Sequence, residues 1–227
     1  MSEGCTATYR VWIVAECERL KQAVAYQPRC GKWTCPHCAS LNKDEWAEIA
    51  IYGVCNLAPT LPEPQFVTIT SRAYVTPQKS IAIFKTSWPK LIRRVVYAQD
   101  EKPEYLLVPE HHQNGKLHAH ILITANHSNH WWHEHAFKSG MGYMADSRPL
   151  CDPIQAGQYI HKELTKQLAG KAWPRNFRRV RKSNGWPLIP EHDRVGWESE
   201  VFKTEGEKNW QVHLLRDLGF EVYEVDS

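Results

Sequence analysis

The chain has 227 residues, is 42% hydrophobic and carries a formal net charge of +3. That length suits one globular domain with an appendage, or two small domains, with enough chain to bury a core. No apolar run approaches the roughly 18 residues of a membrane span, and "MSEGCTATYR" lacks the basic flank and apolar core of a secretory leader, so a cytoplasmic protein is expected.

Residues 1–58 hold most of the seven cysteines. An odd number, with three clustered in "RCGKWTCPHC", favours metal over disulfides in a reducing compartment. Cys30, Cys35 and Cys38 fit a knuckle of the C-P-x-C kind ahead of a helix, which suits structural Zn2+ with four ligands. Cys17, thirteen residues before Cys30, is taken as the fourth, with Cys5 and His37 as alternatives. Zinc would then order a segment with little core of its own. "SLNKDEWAEIAIYGVC" reads as a helix with Leu41, Trp46, Ile49 and Ala50 as its apolar positions, and Cys55 and Cys151 read as ordinary small apolar residues.

"APTLPEP" at 58–64 reads as a linker, and "QFVTIT" at 65–70 alternates as a strand does. A helix is expected from Pro77, with Ile81, Phe84, Trp88 and Leu91 on one stripe and Pro89 kinking or dividing it. "EYLLVPE" and "KLHAHILIT" make a hairpin around Asn114-Gly115. "DPIQAGQYIHKELTKQLAG" opens with Asp152 as N-cap and Pro153 at the first helical position, and closes at Gly170. "HWWHEH", 130–135, is read as surface or DNA-facing. After 185 a short strand, a helix around "NWQVHLLRDLGF" and a last strand "EVYEV" are expected. The domain plan is a zinc-binding region at 1–58, a central domain at 59–184 and a small C-terminal extension at 185–227. The order strand, helix, hairpin, helix gives an α+β fold with an antiparallel sheet, helices on one face and a site on the other.

His118 and His120 stand two apart inside an apolar run, so a strand points both to one face and Leu117, Ala119, Ile121 and Ile123 to the other. Two imidazoles with a carboxylate can hold a divalent ion. The turn decides the third ligand. A three- or five-residue loop brings Glu110 to the histidines' face, and a strict two-residue loop brings His111. A following Asp at 122 would suit a metallo-hydrolase and a third His there a histidine-triad hydrolase, but the residue is Leu122.

On the helix from Pro153, Gln155, Tyr159, Lys162 and Lys166 share one face, while Ala156, Ile160, Leu164 and Leu168 form an apolar one. Tyr159 is thus placed to act as a nucleophile on a phosphodiester, although a phenol of pKa ~10 needs help to ionise. Lys162, one turn on, can orient the phosphate. Lys166, Lys171, Arg175, Arg178, Arg179, Arg181 and Lys182 make a basic stretch with Trp173 and Phe177 between them. Phosphate neutralisation and base stacking suit such a stretch to a nucleic-acid strand. No G-x-x-x-x-G-K-[ST] occurs, so no nucleotide cofactor of the P-loop kind is expected.

The order "FVTIT", "EHHQNGKLHAH", "YIHKELTK" resembles the three motifs of the HUH endonucleases, specifically the rolling-circle replication initiators of small phages and plasmids. The likeness covers roughly residues 17–187, and "FRRVRKSNGWP" resembles the basic segment that commonly follows. It implies Mg2+ or Mn2+ held by His118, His120 and Glu110, with Tyr159 forming a 5′-phosphotyrosine link to single-stranded origin DNA and Lys162 assisting. It also implies a separate helicase and polymerase, and it supports Cys17 as the fourth zinc ligand. Relatives with two tyrosines read Y-x-x-K-Y. Here the fifth residue is Glu163, so a single nucleophile is expected, and Glu163 is read as lying on another azimuth, poorly placed to activate water. Two alternative functions are a single-tyrosine transposase or relaxase, and a zinc-containing DNA-binding regulator without catalysis.

Overall fold

The computed structural model describes residues 11–17, 22–26, 31–57, 64–72, 76–111, 116–150, 152–169, 173–174, 177–190 and 221–226. Its strands are β1 (Val11–Cys17), β2 (Gln22–Tyr26), β3 (Gln65–Thr70), β4 (Tyr105–His111), β5 (Leu117–Ile123), β6 (Ala145–Pro149), β7 (Arg181–Lys182) and β8 (Glu221–Asp226). Its helices are α1 (Pro36–Leu57), α2 (Pro77–Gln99), α3 (Asn129–Ser139) and α4 (Pro153–Ala169). Among the described residues no helix is long and apolar enough to cross a membrane. The chain forms two compact units, one of Lys43–Leu188 and one of Met1–Asn42 with Ile189–Ser227. In the second unit β2, β1 and β8 make an antiparallel sheet in that order, so the strand expected at the end of the chain pairs with β1. The helix expected around 209–220 and the linker at 58–63 lie outside the described residues.

The Lys43–Leu188 unit is α+β, built on a five-stranded antiparallel sheet in the order β6-β3-β5-β4-β7. The strand expected at 65–70 is β3. β4 and β5 form the expected hairpin, with Glu110 opposite His118 and His111 opposite Leu117. That register is not the one a two-residue Asn114-Gly115 turn would set, since such a turn would pair residue 113 with 116. Five residues, 112–116, separate the last pair, and 112–115 lie outside the described residues.

Alternation sorts the sheet into two sides. Val67, Ile69, Leu107, Leu117, Ala119, Ile121 and Ile123 pack in one cluster with Ile81, Phe84, Trp88, Leu91 and Val95 of α2 and Trp132 and Ala136 of α3. All are within 5% of full burial, and each large aliphatic among them contributes at most about 1.5–3 kcal/mol. Phe66, Thr68, Thr70, His118, His120, Leu122, Leu106, Val108 and Glu110 belong to the alternate side. There α4 lies against β4 and buries Ala156, Ile160 and Leu164.

α2 starts at a Thr76 cap whose hydroxyl accepts from Lys79 N, with Pro77 in its first turn. The four expected stripe residues are all buried. Pro89, expected to kink or divide the helix, does not divide it. It sits on the exposed side with Lys85, where water can solvate the carbonyl that loses its partner. The "HWWHEH" segment belongs to α3, capped by Ser128 and by Gly140 at φ 102°. Trp132 is fully buried there and donates to Gln65 Oε1 at 3.0 Å, so this segment is half core rather than wholly surface. Cys55, expected to pack, is exposed near the end of α1.

Candidate metal and tyrosine site

The histidine pair takes its place from β5, and the residues facing it come from the strands on either side. Thr68 is opposite His120 on β3 and Val108 on β4, while Thr70 and Glu110 flank His118 in the same way. Each threonine hydroxyl meets an imidazole: Thr68 Oγ1 is 3.2 Å from His120 Nδ1, and Thr70 Oγ1 is 3.5 Å from His118 Nδ1. The T-x-T spacing of "FVTIT" is thus matched to the H-x-H spacing of β5.

α4 supplies the rest. Asp152 Oδ1 accepts from Ile154 N at 2.8 Å, as expected for its N-cap. The helix then brings Tyr159 edge-on to Phe66, with ring centroids 4.2 Å apart. The Tyr159 hydroxyl is 3.1 Å from His120 Nδ1. On the other side of that ring, His120 Nε2 is 2.9 Å from Glu110 Oε2 and 3.4 Å from Glu163 Oε2. Ligand atoms of Glu110, His120 and Glu163 all lie within 4.8 Å of one another, which makes them the metal-capable group found among the described residues. Two carboxylates and an imidazole are a donor set suited to a hard divalent cation.

Glu163 corrects the sequence reading. Residues four apart on a helix are only about 40° apart in azimuth, so Glu163 shares the face of Tyr159 and is fully buried there. His118 faces the same side of the sheet, its ring centroid 6.3 Å from that of His120, but it is outside the three-residue group. Lys166, expected to contact DNA, instead directs its ammonium at Glu163 Oε1 and Oε2 (2.8 and 2.9 Å) and at Glu110 Oε1 (3.6 Å). Lys162 is exposed. Arg148 of β6 overlies Phe66 at 5.1 Å and Tyr159 at 5.8 Å, a cation that sequence patterning did not single out.

These charges set the ionisation of the site. Burial pushes the Glu110 carboxyl up, but hydrogen bonds to His120 and Glu163 and the charges of His120 and Lys166 outweigh it, leaving its pKa at about 2. Burial raises the Tyr159 phenol, and the adjacent Glu163 charge raises it further. The phenol therefore stays protonated at neutral pH unless positive charge enters the site.

The basic segment is divided. Arg181 is opposite Leu107, and its guanidinium lies 5.2 Å over both Phe84 and Phe177 in the α2 cluster. Lys182 faces the other side and donates to the carbonyls of Ser183 and Trp186. Arg178 is exposed, Arg179 is half-buried, and Lys171 and Arg175 lie outside the described residues. Cys35 and Cys38 are buried, with Cys38 N donating to Cys35 Sγ at 3.5 Å. Cys5 and Cys30, and the side chains of Cys17 and His37, lie outside the described residues, among which no zinc cluster is found.

Residues 64–168 match the family model of the Replication-associated protein ORF2 family. The match spans a little under half of the chain, from β3 to α4, and so includes Glu110, His118, His120, Tyr159 and Glu163. It supports a Rep-type protein of DNA replication. No curated protein and no solved structure matches the chain.

Proposed function

We propose that the chain is a replication initiator of the HUH kind, which nicks single-stranded origin DNA and rejoins it through a 5′-phosphotyrosine on Tyr159. The observation that carries this reading is the Tyr159 hydroxyl 3.1 Å from His120, whose other nitrogen faces Glu110 and Glu163. Mg2+ or Mn2+ bound by Glu110, His120 and Glu163 would polarise the scissile phosphate and steady the leaving oxygen. Glu110 and His120 belong to the ligand set expected from sequence, and Glu163 takes the place expected for His118.

Tyr159 attacks phosphorus, the bond to the 3′ oxygen breaks, and the freed 3′-OH primes synthesis. The phenolic proton has acceptors in reach at His120 Nδ1 and the Glu163 carboxylate. The phosphotyrosine keeps the energy of the broken bond, so rejoining needs no ATP, and unwinding and synthesis fall to a separate helicase and polymerase. Lys162 and Arg148 offer positive charge to the strand on either side of the phenol. Structural Zn2+ on Cys35 and Cys38, completed by Cys30 and Cys17, remains part of the proposal.

The test is a labelled single-stranded oligonucleotide spanning the origin, with Mn2+. The parent should form a covalent adduct that chelator abolishes, and Tyr159→Phe should bind the strand without forming one. An adduct that persists in Tyr159→Phe removes Tyr159 from its role. A parent that binds but never nicks supports the regulator instead.

A further inference from the structure

The connection from α3 to β6 is fixed to the end of β3. Met141 N donates to Ala136 O at 3.0 Å, Gly142 N to Thr70 O at 2.9 Å, and Thr70 N to Met144 O at 3.0 Å. A Cβ on Gly142 would stand 2.6 Å from the carbonyl oxygens of both Thr70 and Ser71, so this backbone is seated directly on the strand. Yet the large side chains it carries face water. Tyr143 is 56% exposed, Met144 66%, and Phe137, in the last turn of α3, 51%.

These side chains are grouped. The Tyr143 ring is 5.1 Å from that of His133 and meets Phe137 edge-on at 6.1 Å. The Arg72 guanidinium lies 5.5 Å over Phe137 while its Nε donates to Met141 O at 3.4 Å. Burial in the fold does not explain three large apolar side chains held exposed on a backbone with little freedom left, and such a patch marks an interaction surface. Its location points to the partner. Thr70, which bonds Met144, is opposite His118. Along β6 the alternate positions run from Met144 through Asp146 to Arg148, which overlies Tyr159. The patch is therefore continuous with the tyrosine site, and a cation is associated with each end.

We propose that Phe137, Tyr143 and Met144 form a stacking platform for unpaired bases of the strand cut at Tyr159, with Arg72 facing its phosphates. This rests on the nicking function and extends it to the path of the DNA. Ring faces beside a guanidinium suit exposed bases, which a duplex keeps stacked on one another.

The test is fluorescence anisotropy of the full chain in chelator, using a labelled 20-nucleotide strand and the duplex of the same sequence over a range of salt. Tyr143→Ala and Phe137→Ala should each weaken single-strand binding about 5- to 100-fold, the range for one lost base stack. Tyr143→Trp should restore it, and duplex binding and the salt slope should not move, because no phosphate contact is lost. A loss smaller than about fivefold, an equal loss on duplex, or a changed salt slope overturns the platform. Failure of the Tyr159 reading registers separately, as a missing covalent adduct, and binding in chelator does not depend on that chemistry.

Discussion

The ligand role of Glu163 can be tested against that of His118 by comparing Glu163→Gln with His118→Gln. Glutamine keeps the shape of the side chain and removes its charge. At 163 the charge lost is a buried carboxylate 3.4 Å from His120 Nε2 that also holds Lys166 at 2.8 Å. Changing a group that only supports a metal ligand costs roughly 10- to 100-fold in affinity. Losing a charged ligand should sit at or above the top of that range, about 100-fold or ~2.8 kcal/mol. Lys166, released from Glu163, would still lie near Glu110 and repel a cation, which works in the same direction. The fold should lose little. The amide oxygen can still accept from Lys166, whose side chain is 44% exposed, and the net change should stay near ~1 kcal/mol. His118→Gln, outside the group, should lose less than about tenfold. Mn2+ titration followed by electron paramagnetic resonance, with urea unfolding as the stability control, measures both. If the 118 variant loses Mn2+ and the 163 variant keeps it, the ligand set is the one expected from sequence and Glu163 is no ligand.

Gly142→Ala should destabilise the protein by about 1–3 kcal/mol, because the new Cβ meets backbone rather than a movable side chain; urea unfolding with an unchanged midpoint would refute the close approach. Burial lowers the pKa of both His127 and His135, which stack on the two faces of Trp131 at 3.9 and 4.1 Å. The folded state therefore binds fewer protons than the unfolded chain, so stability present above pH ~6.5 should fall as the pH drops below it. The fall should be smaller in His127→Asn/His135→Asn, and an identical pH profile for parent and double variant would refute it. Cys35→Ser and Cys38→Ser should each lower the zinc content of the purified protein, measured by mass spectrometry against protein concentration; full zinc in both variants removes the pair from any zinc site.

The parts of the fold that were legible carry strong periodic signals. β3 alternates, α2 repeats its stripe at Ile81, Phe84, Trp88 and Leu91, and α4 has an Asp-Pro start. α3 was missed because its apolar content is crowded into Trp131 and Trp132, and only Trp132 and Ala136 reach full burial, too sparse a stripe to show a period. β6 was missed for a related reason. It is an edge strand, "ADSRP", with only Ala145 buried, so its pairing with β3 and not its composition makes it a strand. The hairpin register could not be read locally, because one residue of slip exchanges Glu110 for His111 and the sequence offers turns of either length. Glu163 was readable in principle, since a spacing of four from Tyr159 already places it on the same helix face. The pull of Lys166 toward two carboxylates depends on β4 and α4 meeting, which single-chain spacing does not express.

The pairing of β1 with β8 has a consequence for biosynthesis. About 200 residues separate the two partners along the chain, and at translation rates of roughly 5–20 residues per second that is a wait of about 10–40 s. The Lys43–Leu188 unit is contiguous and can close as soon as it leaves the ribosome. During that interval the nascent β1 has no β8 beside it, so one of its edges lacks its final neighbour until the finished half has long been made.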